Sequence, residues 1–190
     1  MRFILASASP RRRELMEMLG VSGLIVRPAV GEEACDPALP PPQLCTALAE
    51  AKAREVAACA GEDDVVIAAD TIVVHGGRVY GKPHSPAEAA EMLRTLSGDT
   101  HEVYTGVCVI RRGVCRCRAD RSLVTFRPLS GGEIERYIAT GEPMDKAGAY
   151  GAQGKGALFV ERIDGDFFNV MGLPLCMLGE MLKEQGVELL

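Results

Sequence analysis

The chain has 190 residues, of which 47% are hydrophobic and 25% charged, with a formal net charge of −5. That is enough apolar material for one globular domain with a real core and room for two lobes, and it excludes a disordered chain. The acidic balance argues against a general nucleic-acid binder, whose affinity rests on widespread phosphate neutralisation.

No apolar run approaches the ~20 residues of a membrane span. Met1-Arg2-Phe3 leads straight into a strand rather than a signal peptide, so the expected location is the cytoplasm. The seven cysteines are scattered, with no Cys-x-x-Cys pair, which predicts reduced core thiols rather than disulfides or zinc ligands. Cys115 and Cys117 share one face of a predicted strand and read as packing.

The first predicted unit is a strand, a tight loop and a helix over Phe3 to Gly20. Ser9 suits the N-cap and Pro10 the first helical position, where a missing N–H costs nothing. Leu15, Met18 and Leu19 fall at helical spacing. Arg11, Arg12 and Arg13 put three cations beside the positive end of the helix dipole, an arrangement that costs stability unless something outside the helix balances it. The first turn is either a phosphate cradle or a solvated arginine patch.

Leu24 to Val26 predicts a second short strand, and Pro28 to Pro42 a loop that holds Glu32 and Glu33. A long helix is predicted from Gln43 to Ala60, with Leu44, Cys45, Leu48, Val56 and Cys59 as its apolar stripe. Lys52 lies in the middle of that stripe. It either snorkels to the edge or aims its ammonium at an anion.

Val65 to Ala69 is a continuous apolar run of the kind buried on both faces of a sheet, and it stops at Asp70-Thr71 before resuming at Ile72. A carboxylate in such a run needs a metal, a cation or a hydrogen-bond network, which makes Asp70 the leading functional candidate; the alternative is a strand-end cap. His75-Gly76-Gly77-Arg78 predicts a hairpin turn, and Gly81-Lys82-Pro83 holds Lys82 on a stiff loop nearby. Ser85-Pro86-Ala87-Glu88 and Ser130-Gly131-Gly132-Glu133 are capping-box patterns that start helices running to about Leu96 and Thr140. Between them, His101–Ile110 and Val114–Phe126 predict a long ribbon whose arginines line a solvated face.

Asp145 to Gly156 is a glycine-rich loop with two lysines, an acid and an amide, lacking the spacing of a nucleotide P-loop. Ala157 to Ile163 and Phe167 to Val170 read as a hairpin around Asp164-Gly165, and Leu175 to Gln185 as a terminal helix with Met177, Leu178, Met181 and Leu182 inward. The three histidines are too dispersed for a dyad or a metal site, and no Gly-x-Ser-x-Gly elbow exists. What remains is a set of cations (the arginines, Lys52, Lys82, Lys155) and carboxylates (Glu33, Asp70) on an α/β chain, which suits phosphate chemistry with a divalent ion.

Ser7-Ala8-Ser9-Pro10-Arg11-Arg12, Ala69-Asp70-Thr71, Gly81-Lys82-Pro83, Leu96-Ser97-Gly98, Tyr150-Gly151-Ala152-Gln153-Gly154 and Gly172-Leu173-Pro174 occur in series over nearly the whole chain. In that order they resemble the Maf family of nucleoside triphosphate pyrophosphatases. The resemblance implies a mixed α/β fold related to the inosine triphosphate pyrophosphatases, a twisted central sheet flanked by helices and a cleft between two lobes. It also implies homodimers, a requirement for Mg²⁺ or Mn²⁺, and hydrolysis of a nucleoside triphosphate to monophosphate and pyrophosphate. A link to septum formation comes with the family; the alternative is a non-enzymatic regulator that binds division proteins or nucleic acid through the Arg11 to Arg13 patch.

Residue by residue, the resemblance makes Asp70 the proton acceptor and Arg11, Thr71 and Gln153 the specificity positions. Ser7, Arg12, Glu33, Lys52 and Lys82 match other positions of the family's active-site cleft. Arg11 and Gln153 resemble the dTTP/UTP branch rather than the branch acting on 7-methyl-GTP, where Trp and Glu are typical. An amide offers a donor and an acceptor to the uracil or thymine edge, whereas a glutamate only accepts. A free aspartate, with a pKa near ~3.9, is a poor base at neutral pH, so Asp70 acts either through burial or as a metal ligand.

Overall fold

The computed structural model of the chain describes residues 1–21, 23–31 and 35–190. It is a mixed α/β protein with a twisted central sheet in the order β2-β1-β3-β5-β6-β7, in which β4 pairs with β3. The strands are β1 (Phe3–Leu5), β2 (Ile25–Val26), β3 (Val65–His75), β4 (Arg78–Tyr80), β5 (Thr100–Arg111), β6 (Val114–Phe126) and β7 (Val160–Asp164). The helices are α1 (Pro10–Met18), α2 (Pro41–Ala57), α3 (Pro86–Leu96), α4 (Gly131–Ile138), α5 (Phe167–Met171) and α6 (Leu175–Glu184). No helix among the described residues is long and apolar enough to cross a membrane.

The chain divides into two compact units. The first comprises Met1–Asp70, Thr105–Asp120 and Gly172–Leu190, the second Thr71–Tyr104 and Arg121–Met171. In the first unit β1 runs parallel to both β2 and β3, with Ile4 opposite Ile25 and Val66. Asp64 fixes the start of that pairing: its carboxylate takes the Arg2 guanidinium at 3.0 and 2.5 Å and the Gly61 N–H at 2.9 Å. The Arg2 hydrogen bond, above all, holds this carboxyl well below the usual range.

Ile4, Ala6, Ala49, Ala53, Val56, Val66, Ala68, Cys108 and Ile110 form a core in the same unit. The helix lies close to the sheet because its inward residues are alanines and because β5 carries Gly106. A Cβ there would run into the Cys45 carbonyl and the Thr46 N–H. The predicted stripe is therefore displaced. Ala49 and Ala53 are its buried centre, whereas Cys59 lies beyond the end of α2 and is exposed. In α1, Leu15 and Met16 are fully buried while Met18, expected inward, is 64% exposed. The helix stops at Met18, so only its central turn meets the core.

The second unit is built around Val73, Leu93, Leu96, Phe126, Ile134, Tyr137, Tyr150 and Phe159. Both capping serines start their helices, but the box closes only at Ser130, because the Glu88 carboxylate accepts from His84 N–H rather than from Ser85. Ser85 Oγ accepts from Glu88 N–H at 3.1 Å, and Ser130 and Glu133 form a complete box, with Glu133 pulled down to about 2 chiefly by Arg127. Gly76 and Gly77, with φ of 56° and 77°, turn β3 into β4, as a two-residue hairpin requires.

The expected hairpin after Gly156 is not formed. Val160–Asp164 pairs with β6 instead, and Phe167–Met171 is helical. The Asp166 carboxylate accepts from Phe168 N–H at 2.8 Å and starts that helix, and Asn169 is drawn inward to donate to Val103 O and Ser122 Oγ. Tertiary pairing and a local cap outweigh the strand character of Phe-Phe-Asn-Val.

Candidate active site

In the first unit, α1 begins with Ser9 at the N-cap and Pro10 inside it, as expected, but the Ser9 side chain makes no capping bond. Ser7 serves the turn in its place. Its buried hydroxyl accepts from Ser9 N–H at 3.2 Å and from Arg12 Nη1 at 3.2 Å. Arg12 Nε donates to the Gly172 carbonyl at 2.8 Å, so the loop, the helix start and the Gly172-Leu173-Pro174 segment are held as one piece. Arg11 is half-buried on the same turn, and Arg13 is exposed and paired with Glu17 one turn on. The three arginines thus diverge: one ties the turn to the Gly172 segment, one is half-buried on the first turn and one is a surface charge.

Asp70 does not end a strand. It lies within β3, which runs unbroken from Val65 to His75. Lys52 Nζ donates to Asp70 Oδ1 at 2.5 Å, and both side chains keep slightly under a fifth of their surface open to solvent. Lys52 lies on the flank of the alanine stripe of α2 and turns its ammonium to the carboxylate. The pair is a partly desolvated ion pair that can still meet a ligand. The nearby Cys45 thiol is pushed up to about 12 by burial and then by the Asp70 charge, which leaves it an inert, protonated core group.

In the second unit, Thr71 follows Asp70 along β3 and is half-buried. Lys82 is exposed on the segment after β4, and Gly81 O of that segment accepts from Gly148 N–H at 3.1 Å. The glycine-rich stretch expected to be a loop is a chain of short 3₁₀ turns, Glu142–Asp145, Ala147–Ala149 and Lys155–Leu158. Gln153 is exposed between the last two.

A residue that the sequence reading passed over holds this stretch in place. Glu142 accepts from Tyr137 Oη at 2.9 Å, Lys155 N–H at 3.0 Å and Gly156 N–H at 3.2 Å, and Tyr137 Oη in turn accepts from Gly151 N–H at 3.1 Å. Gly154 lies directly on the Glu142 carboxylate, with no room for a Cβ. Burial works against the Glu142 charge, but the two backbone N–H groups and Tyr137 prevail and bring it below the ordinary value. The available signal was an acid immediately before a loop whose glycines leave backbone N–H groups to satisfy.

Glu33, the second expected metal ligand, lies outside the described residues, as does Glu32. Of the expected ligand set, Asp70 offers a hard carboxylate oxygen beside a lysine. That fits Mg²⁺ or Mn²⁺, which commonly take one or two protein carboxylates and complete their shell with water and substrate phosphate.

The chain matches a sequence model described as Maf-like protein over residues 2–185. Similar curated proteins include the dTTP/UTP pyrophosphatase of Moorella thermoacetica, 54% identical over 189 residues, covering 98% of this chain and 96% of that one. The dTTP/UTP pyrophosphatase of Bacillus cytotoxicus is 49% identical over 183 residues, covering 96% and 95%. Among solved structures, the Ham1 protein of Staphylococcus aureus superposes with a TM-score of 0.55 at 14% identity, covering 97% of this chain and all of that one, a likeness of fold. With a family match over nearly its full length and relatives at about half identity, the chain belongs to the Maf family.

Proposed function

We propose that this protein hydrolyses dTTP, UTP and modified pyrimidine triphosphates to the monophosphate and pyrophosphate. The observation that carries the reading is the Lys52–Asp70 pair, a cation and a carboxylate 2.5 Å apart on strand and helix and still open to solvent. The names and identity of the relatives support the same reaction class.

In this reading Lys52 and Lys82 neutralise charge that develops on the phosphates, and Arg12 and the N–H groups at the start of α1 bind phosphate oxygens. Ser7 orients Arg12 through the 3.2 Å bond to Nη1. Arg11, Thr71 and Gln153 read the base, Gln153 through a donor and an acceptor that match the N3–H and carbonyl of a pyrimidine. A mismatched base would leave polar groups unpaired, a strong source of discrimination. Asp70, together with Glu33, would hold a divalent cation, which would supply charge neutralisation for the phosphates and lower the pKa of water.

Asp70 either accepts the proton of the attacking water or serves as a ligand. Mn²⁺ binding followed by its paramagnetic signal separates the two: a ligand role predicts loss of binding in Asp70→Asn, a base role predicts loss of turnover with binding kept. Homodimerisation and a tie to septum formation rest on the family resemblance and a cytoplasmic location on the expectation from the sequence, and light scattering tests the first of them.

The reaction class is tested by hydrolysis of UTP in ¹⁸O-water. Attack at the α-phosphorus predicts label in the monophosphate and none in pyrophosphate. Label in pyrophosphate would move the attack to the β-phosphorus, and release of orthophosphate as first product would refute the proposed reaction class.

A further inference from the structure

The hairpin of β5 and β6 assembles three thiols that the sequence scatters. Its turn is Arg112-Gly113, with φ of 49° and 73°, and such a two-residue turn places Arg111 opposite Val114 and hence Cys108 opposite Cys117. Cys115 lies two residues from Cys117, so the pleat returns it to the same face. The three Sγ atoms lie within 4.8 Å of one another, the only such group of potential ligands found among the described residues. Cys108 Sγ and Cys115 Sγ are 3.4 Å apart, and Cys115 Sγ and Cys117 Sγ 3.8 Å.

Those are the separations of ligands on one ion. Thiolates bound tetrahedrally at about 2.3 Å have sulfurs about 3.8 Å apart. Glu50 Oε2, from α2, is 3.8 Å from Cys117 Sγ; it lies beside the group of three rather than within 4.8 Å of every sulfur, and a side-chain rotation would bring it in as a fourth donor. The other Glu50 oxygen accepts from Arg54 Nε at 2.7 Å, the kind of outer partner that orients a ligating carboxylate. Cys108 is fully buried and packs among Ala49 and Ala53, while Cys115 and Cys117 are half-buried, which leaves a path for an ion from the surface.

We propose that Cys108, Cys115, Cys117 and Glu50 form a binding site for a thiophilic d¹⁰ cation of the Zn²⁺ class. The donor set is soft, unlike that of Asp70, so it selects against Mg²⁺. Binding displaces one proton for each thiol that becomes a thiolate ligand, so it strengthens as pH rises. The bound ion ties the hairpin to α2, the helix that carries Lys52. The inference stands independently of the proposed reaction.

The test uses the full chain, fully reduced under anaerobic conditions. Zn²⁺ is titrated against a chromophoric chelator, and Cd²⁺ is followed by its thiolate charge-transfer absorption. The expected result is one equivalent bound with a thiolate band, and a thermal midpoint that rises with Zn²⁺. Cys117→Ser weakens binding at least about tenfold and removes the rise, on the scale of losses at metal sites. Cys176→Ser, at an exposed position on α6, leaves both unchanged. Should Cys117→Ser fold poorly, Cys115→Ala carries the same test at a half-buried position. No bound equivalent in the reduced wild type, or binding retained in the Cys115 and Cys117 variants, would overturn the site.

Discussion

Lys52 and Asp70, eighteen positions apart in sequence, meet at 2.5 Å where a helix built on alanines lies against a strand that is otherwise apolar. Each is the group that makes the other tolerable. Under the proposed mechanism Asp70→Asn lowers kcat by about 10²–10⁴-fold, the usual worth of a group that handles a proton or its equivalent. Lys52→Met leaves the carboxylate without its cation and costs about 1 kcal/mol of stability, because solvent still reaches the site. Steady-state kinetics and thermal unfolding of both variants check this, and near-normal turnover in Asp70→Asn would remove Asp70 from the chemistry.

Glu142 predicts a different kind of defect. Its carboxylate gathers the Tyr137 hydroxyl and two backbone N–H groups just after Gln153 in the chain, those of Lys155 and Gly156. Glu142→Gln exchanges one acceptor oxygen for a donor that faces N–H groups, at a cost of about 1–3 kcal/mol. The expected kinetic result is a higher KM for UTP and a smaller preference for UTP over GTP, with kcat changed less. Because the native carboxyl lies below its ordinary value, its stabilisation is present above that ordinary value and is lost as pH falls through the folded value. Amide exchange at Lys155 and Gly156 measures the loosening directly.

His101 sets a pH dependence of stability. It is buried, with Nε2 2.8 Å from Tyr150 Oη, ring-to-edge contacts to Phe126 and Tyr150, and no partner for Nδ1. Burial first, then the charge of His75, brings its pKa from 6.5 down to about 3. Between those values the unfolded chain takes up a proton that the folded chain refuses. Stability from this group is therefore complete above pH 6.5 and declines as pH falls, by at most about 1.4 kcal/mol per unit. His101→Phe lowers stability at pH 7.5, since Tyr150 loses its partner, but has a shallower decline from pH 6.5 to 4. Parallel curves for the two proteins in urea titrations at several pH values would contradict the assignment.

Local signals in the sequence reach far into this fold. Ser85-Pro86 and Ser130 with Glu133 start helices where they should, Gly76-Gly77 makes its turn, and β6 spans Val114–Phe126 as read. The helix starts and the turn depend on neighbours within four residues. Elements that depend on distant partners were less legible: Phe167–Met171 became a helix because Asn169 is claimed by Val103 and Ser122, and Met18 turned outward because α1 ends there.

The candidate site divides in the same way. Asp70 and Lys52 were visible as charges in apolar patterns, although their contact was not, since nothing local relates α2 to β3. Glu142 escaped because its partners are backbone groups, which have no letter in a sequence. Cys108 and Cys117 were hidden by counting spacings along the chain rather than across the Arg112-Gly113 turn.

The proposed pyrophosphatase activity is read out by incubating the purified protein with Mg²⁺ and, separately, dTTP, UTP, CTP, GTP and 7-methyl-GTP, with pyrophosphate and orthophosphate measured apart. The expected result is pyrophosphate from dTTP and UTP at rates well above the other three, and its loss in Asp70→Asn. Preferential release from 7-methyl-GTP would contradict the base-reading role given to Arg11 and Gln153, and no pyrophosphate from any of the five would contradict the proposed activity itself.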